Sequence, residues 1–156
     1  MKTIYDLIAE HPFFRGMEKK DVEFISKCGK NRVFRENEAI AREGEAANFF
    51  YLIRQGTVAV ITDMPPDGFH TLQTVSDGEI MGWSWLFPPY HWLFDLEAKT
   101  VVHAVELDGK CLRDKCEQDP KLGYELMKRF AKNMTDKLEA TRLQLLDVYG
   151  TGKKGP

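Results

Sequence analysis

The sequence predicts a mainly β domain: an antiparallel β-roll of the double-stranded β-helix or jelly-roll type, flanked by helices and followed by one long C-terminal helix. Three observations predict it. From Asn31 to about Leu107 the chain runs in short β-rich bursts, RVFRENEAIAREG, FFYLIRQGTVAVIT, FHTLQTVS and DLEAKTVVHAVEL. Turn residues punctuate these bursts at Gly44, Gly56, Pro65-Pro66-Asp67-Gly68 and Asp77-Gly78. Short strands at regular spacing between glycine and proline turns are the pattern of a barrel or roll. Beyond the last burst the apolar period changes to the 3.6 residues of a helix.

In the order of the chain, Ile4, Leu7 and Ile8, then Val22 and Ile25, follow helical spacing with His11-Pro12 between them, so two short helices precede the roll. The roll is expected over about 31–107. Asp108 stands where an N-cap would start a helix over Gly109 to Glu117, and Asp119-Pro120 opens the last helix, about 120–148, with proline at its first position. Gly150 is expected to stop that helix and 151–156 to be a disordered tail, since GTGKKGP contains no core-forming residue. The whole reads as a single domain over 1–150.

The last helix carries two apolar stripes. Met127, Ala131, Met134, Leu138, Thr141, Leu145 and Val148 alternate spacings of four and three, an a/d seam about three heptads long, with Tyr124 one step before it. Leu122, Leu126 and Phe130 form a second, offset stripe. One stripe packing on the roll and the other on a partner helix implies a homodimer; the alternative is a single wide face buried within one chain.

Composition narrows the function. A formal net charge of −2 provides no field that would draw the protein onto nucleic acid or an acidic membrane. No apolar run approaches the roughly 18 residues of a membrane span, and MKTIYDLIAEH lacks a signal peptide's architecture, so a cytoplasmic protein is expected. The three cysteines, Cys28, Cys111 and Cys116, are expected to be free structural thiols, because an odd number without a secretory signal argues against a disulfide framework.

HPFFRGM, then AREGEAANFFYLIRQGTVAV with Gly44 and Gly56, then DGEIMG, then the Leu146-Asp147-Val148-Tyr149-Gly150 run closing the long helix, together resemble the cyclic-nucleotide-binding domain of the catabolite activator and related bacterial regulators. The resemblance implies a sensor roll joined to a dimerising helix. In those regulators a similar Leu-Asp-Val run leads into a winged helix-turn-helix. Six residues after Gly150 are too few for one, so direct DNA binding is not expected.

The resemblance also implies a phosphate cassette, here Gly78 to Phe94. Gly82 matches the position where backbone approaches the phosphate. The glutamate expected next, on the ribose, is replaced by Trp83. The arginine expected near His91, Trp92 or Leu93 is missing, and Gly78 to Phe94 holds no arginine or lysine. A desolvated anion without its counter-charge loses about 2–5 kcal/mol, which counts against tight cyclic AMP binding. His91 would substitute only when protonated, and an ordinary histidine with a pKa of about 6.5 is mostly neutral at pH 7.

In place of those groups stand Trp83, Trp85, Phe87, Tyr90, Trp92 and Phe94, six aromatics in twelve residues. They read either as an apolar small-molecule pocket, with Glu79, Ser84, Tyr90 and His91 as its polar groups, or as core filling the old site. On the long helix, Asp136 and Lys137 fall where relatives close over the ligand's base. The function expected is therefore a non-catalytic regulatory or sensor module, with a cyclic nucleotide or an apolar small molecule as candidate ligands and a separate effector protein as a further partner. A cyclic-AMP- or cyclic-GMP-binding signalling protein is the alternative. A metal-dependent cupin-like enzyme built on His70, His91, His103 and Glu79 lacks the His-x-His spacing that brings two imidazoles to one ion, and no metal or catalytic residue is assigned.

Overall fold

Thr3 opens the first helix with a reciprocal cap: its hydroxyl accepts from the Asp6 amide while the Asp6 carboxylate accepts from the Thr3 amide. The helix, α1 (Ile4–Glu10), turns at His11 into α2 (Lys19–Ser26). In this computed structural model residues 1–153 are described, 150–153 by backbone alone.

Eight strands follow: β1 (Gly29–Phe34), β2 (Ala39–Ala41), β3 (Phe49–Gln55), β4 (Val58–Asp63), β5 (Phe69–Val75), β6 (Ile80–Met81), β7 (Asp95–Ala98) and β8 (Val102–Asp108). They form two four-stranded sheets of order β1-β8-β3-β6 and β2-β7-β4-β5, with antiparallel pairing throughout. This is the expected roll. Gly56, between β3 and β4, has φ +118°, and a β-carbon there would lie 2.6 Å from the Val101 carbonyl, so the turn admits only glycine.

The central strands of the first sheet, β3 and β8, are buried on both faces, and the alternation of β3 shows how. Phe50 and Leu52 point outward to the helices, and Tyr51 and Ile53 point into the roll, each almost fully buried. The outer core joins them to Ile8, Ile25, Trp85, Leu107, Leu112, Leu126 and Phe130; the inner core holds Phe34, Val58, Val60, Met81, Trp92, Leu96 and Val102. At about 1.5–3 kcal/mol per large apolar side chain buried, these two layers are the main stabilising term.

Asp108 caps α3 (Gly109–Gln118) by accepting from the Cys111 amide at 2.8 Å, and Asp119 accepts from the Leu122 amide at 3.2 Å ahead of α4 (Pro120–Lys153). The two stripes of α4 separate as the periodicity requires. Leu122, Leu126 and Phe130 are buried in the outer core, whereas Tyr124, Met127, Ala131, Met134, Leu138, Thr141, Leu145 and Val148 are exposed. The helix continues to Lys153, past the stop expected at Gly150. The end of the expected tail, 154–156, lies outside the described residues.

The cysteine expectation is corrected. Cys28 and Cys111 form a disulfide with their α-carbons 5.7 Å apart, and only Cys116 is free. The two partners are 83 residues apart in sequence. They meet because the β1–β8 register places Gly29 opposite Leu107 and Cys28 accepts from the Asp108 amide. Neither spacing nor parity reveals such an encounter.

Candidate functional site: the aromatic cassette

The segment from Gly78 to Phe94 leaves β6, makes one 3₁₀ turn at Ser84–Leu86, and returns along the loop between β2 and β3. Its return is fixed by main chain: the Ala47 amide donates to Tyr90, the Trp92 amide to Glu45, and the Gly44 amide to Trp92, at 2.7–2.9 Å. These bonds leave the Trp92 side chain one direction in which to go, into the roll.

Its indole reaches Gly82. A β-carbon at Gly82, where φ is +91°, would stand 2.7 Å from the ring, and Trp92 is 5% exposed. Gly82, which the resemblance would place against a phosphate, is thus covered by carbon. Trp85 takes the opposite direction: its ring Nε1 donates to the Gly82 carbonyl at 3.2 Å and its ring packs against Phe50 and Phe130 in the outer core. Trp83 stands edge-on to Phe94, 6.3 Å between centroids, both half-buried. Ser84 is buried, Tyr90 is half-buried with φ +58°, and His91 is exposed. The aromatic cluster is therefore divided between two cores and does not line one common cavity.

Glu79 lies outside this group. Its carboxylate accepts from the Ser76 amide at 2.7 Å and reaches Lys137 of α4 at 3.9 Å. Together with Leu72, Gln73 and Thr74 of β5 and Asn133, Asp136, Lys137 and Thr141 of α4, it borders a cleft of about 640 Å³. Asp136 and Lys137, the positions counted from the sequence, do face the roll across this cleft.

One residue was missed. Arg113 of α3 stacks its guanidinium over the Tyr90 ring, 4.2 Å from the centroid, and donates to the Trp85 carbonyl. It is four residues after Gly109, whose α-carbon packs against Trp85, so the helical period did place Arg113 on the cassette-facing side. The cassette's cation comes from outside its own sequence, and it is engaged by an aromatic face and a carbonyl.

The histidines and Glu79 of the cupin-like alternative are scattered: His70 on β5, His91 bridging Ala46, His103 on β8. Among the described residues no three His, Cys, Asp or Glu side chains gather to hold a metal ion, and no helix is long and apolar enough to cross a membrane.

Comparison with known proteins supports this architecture. A Geobacter metallireducens protein assigned to cyclic-nucleotide binding superposes with a TM-score of 0.77 at 25% identity, covering 88% of this chain and 99% of that one. A cyclic nucleotide-binding domain from Methylobacillus flagellatus gives 0.78 at 20% identity, covering 92% and 81%. The catabolite activator protein of Thermus thermophilus gives 0.69 at 19%, covering 89% and 63%. A search among curated proteins found no match. Residues 31–119 match the cyclic nucleotide-binding domain family, and with the roll and the long helix both present, the chain belongs to that family.

Proposed function

We propose that this domain is a non-catalytic regulatory module that dimerises through α4 and does not bind a cyclic nucleotide in the family's manner. One observation carries the reading: the Trp92 indole lies on Gly82, in the place a phosphate would need. An anion there would have to displace a buried indole, whose truncation in a core costs about 3–5 kcal/mol. It would then find no arginine or lysine between Gly78 and Phe94 to receive it.

The exposed seam from Tyr124 to Val148 supports the dimer, since large apolar side chains repeated at a/d spacing along an exposed helix favour a partner helix. A dimer of this kind acts on a separate effector protein by changing how the α4 pair is presented.

A thermal melt with cyclic AMP, cyclic GMP and cyclic dinucleotides tests the reading. A ligand at about 100 times its Kd stabilises by about 2.7 kcal/mol. No shift is expected with any of them, and a saturable shift with cyclic AMP overturns the reading.

The cleft between β5 and α4 favours a second reading, a small-molecule sensor whose ligand contacts Leu72, Gln73, Asp136 and Lys137. Its volume of about 640 Å³ suits a small organic molecule. A ligand that acts there must bind one placement of α4 better than another, since equal affinity shifts nothing. Thermal-shift screening against neutral and zwitterionic small molecules tests it, with Lys137→Ala and Leu72→Ala expected to abolish any hit.

A further inference from the structure

We infer that the Cys28–Cys111 bond is a reversible thiol–disulfide site through which the redox state of the surroundings acts on the cassette and on α4. The inference goes beyond ligand binding and depends on neither reading above.

Its basis is what the bond holds. Cys111 is the third residue of α3, inside the turn capped by Asp108, and α3 is the element that touches both functional regions. Toward the cassette, Gly109 packs against Trp85 and Arg113 binds the Trp85 carbonyl and the Tyr90 ring. Toward the long helix, the last turns of α3 are in close contact with α4: a β-carbon at Gly123 would lie 3.2 Å from Cys116 Cβ. The disulfide ties the first turn of this connecting helix to the end of the α2–β1 junction. Noncovalent bonds remain when it opens, from the Asp108 amide to Cys28 at 2.9 Å and from the Gly109 amide to Asn48 at 2.8 Å. Reduction therefore loosens α3 without detaching it.

The two sulfurs also differ as reactants. Cys28 is 8% exposed, whereas Cys111 is half-buried and is therefore the sulfur more open to attack by a thiol in solution. One thiolate of a dithiol reductant attacks Cys111 Sγ, the S–S bond breaks, and the Cys28 thiolate leaves and takes a proton from water. The second thiolate of the reductant then attacks its own sulfur in the mixed disulfide and expels the Cys111 thiolate, which in turn takes a proton from water. Two electrons and two protons pass to the domain, and the reductant departs as a cyclic disulfide. A disulfide oxidant such as oxidised glutathione drives the reverse. Cys116, half-buried with its thiol pKa pushed up by burial and then by Glu117 and Asp119, is the member of the three that takes no part in the exchange.

The full chain is equilibrated in dithiothreitol or in oxidised glutathione, quenched with a thiol-alkylating reagent, weighed by mass spectrometry and compared by hydrogen exchange. Three alkylated thiols are expected after dithiothreitol and one after oxidised glutathione, interconverting in folded protein. Exchange in 82–94, 109–118 and the first turns of α4 should be faster in the reduced form, on the order of tenfold, with β3 and β8 unchanged. Cys28→Ser should behave as reduced under both conditions, and Cys116→Ser should still switch. Three reactive thiols in oxidised glutathione, a bond that dithiothreitol opens only on unfolding, or identical exchange in the two forms would each overturn the inference. The wild-type comparison decides even if Cys28→Ser does not fold.

Discussion

The Trp92 indole and the α-carbon of Gly82 are in mutual contact, so close that a methyl group on Gly82 would stand 2.7 Å from the ring. Trp92→Ala is expected to cost about 3–5 kcal/mol through lost burial and the space left behind. Gly82→Ala should cost more than about 1 kcal/mol, from the clash and from a φ of +91°. Once the indole is gone the clash is gone too, so the double variant should be less destabilised than the sum of the singles. Urea unfolding of the four proteins measures this cycle, and strict additivity would show that the two residues do not meet in solution.

Phe130 and Leu138 lie on the same helix, with the ring 3% exposed in the outer core and the leucine 71% exposed on the seam. Leu138→Glu is expected to weaken self-association by at least about tenfold while leaving the roll intact, because charge at an a position opposes a partner helix and little else. Phe130→Ala should destabilise the fold itself by about 3–5 kcal/mol. Sedimentation velocity together with thermal melts separates the two; Leu138→Glu sedimenting like the parent would remove the seam from the interface.

Acid should loosen the junction of α1 with the roll. His11 is buried, its Nε2 donating to the Ile53 carbonyl at 3.0 Å and its Nδ1 accepting from the Phe13 amide at 3.2 Å, a pattern that only the neutral ring satisfies. Burial, aided by the Arg15 charge, holds its pKa below the usual 6.5. With the folded pKa depressed, the unfolded chain binds the proton first. The His11 contribution is therefore complete above about pH 6.5 and is lost as pH falls toward the lower folded value. Melting temperature followed downward from neutral pH should decline, and His11→Gln should flatten that decline; parallel profiles would assign it to other groups.

Inside the roll, Glu106 is 4% exposed beside the Tyr51 hydroxyl, with Arg32 at 3.3 Å and Lys30 at 3.4 Å from its oxygens. Burial first, then the Glu106 charge and hydrogen bond, push the Tyr51 phenol pKa well above the usual range. Glu106→Ala leaves that hydroxyl unpaired and should cost about 1–3 kcal/mol; Glu106→Gln, which still accepts a hydrogen bond, should cost less. Lys30→Ala should cost at most about 1 kcal/mol, since the lysine is 68% exposed and screened by water. Denaturation midpoints in that order support the network, and an equal loss for Gln and Ala would show that charge, not hydrogen bonding, dominates.

The sequence was most informative where structure depends on near neighbours. Turn glycines and prolines placed the strands, Asp108 and Asp119 marked the helix starts, and the spacing of Leu122, Leu126 and Phe130 against Met127, Met134 and Leu138 divided α4 into a buried and an exposed face. The absence of arginine and lysine between Gly78 and Phe94 was equally readable, because it needed only a count. The continuation of α4 through Gly150 was not, since the local breaker signal there did not end the helix.

By itself, then, the sequence determined the fold class, the order of elements and the absence of a cation between Gly78 and Phe94, because each rests on propensity and period within a few residues. Only the tertiary structure decided that Trp92 covers Gly82 while Trp85 leaves for the outer core, that Arg113 reaches the cassette from α3, that Glu106 is buried beside Tyr51, and that Cys28 meets Cys111. Those encounters join residues far apart along the chain through strand register and helix docking, and the direction a side chain takes there is set by the space its neighbours leave.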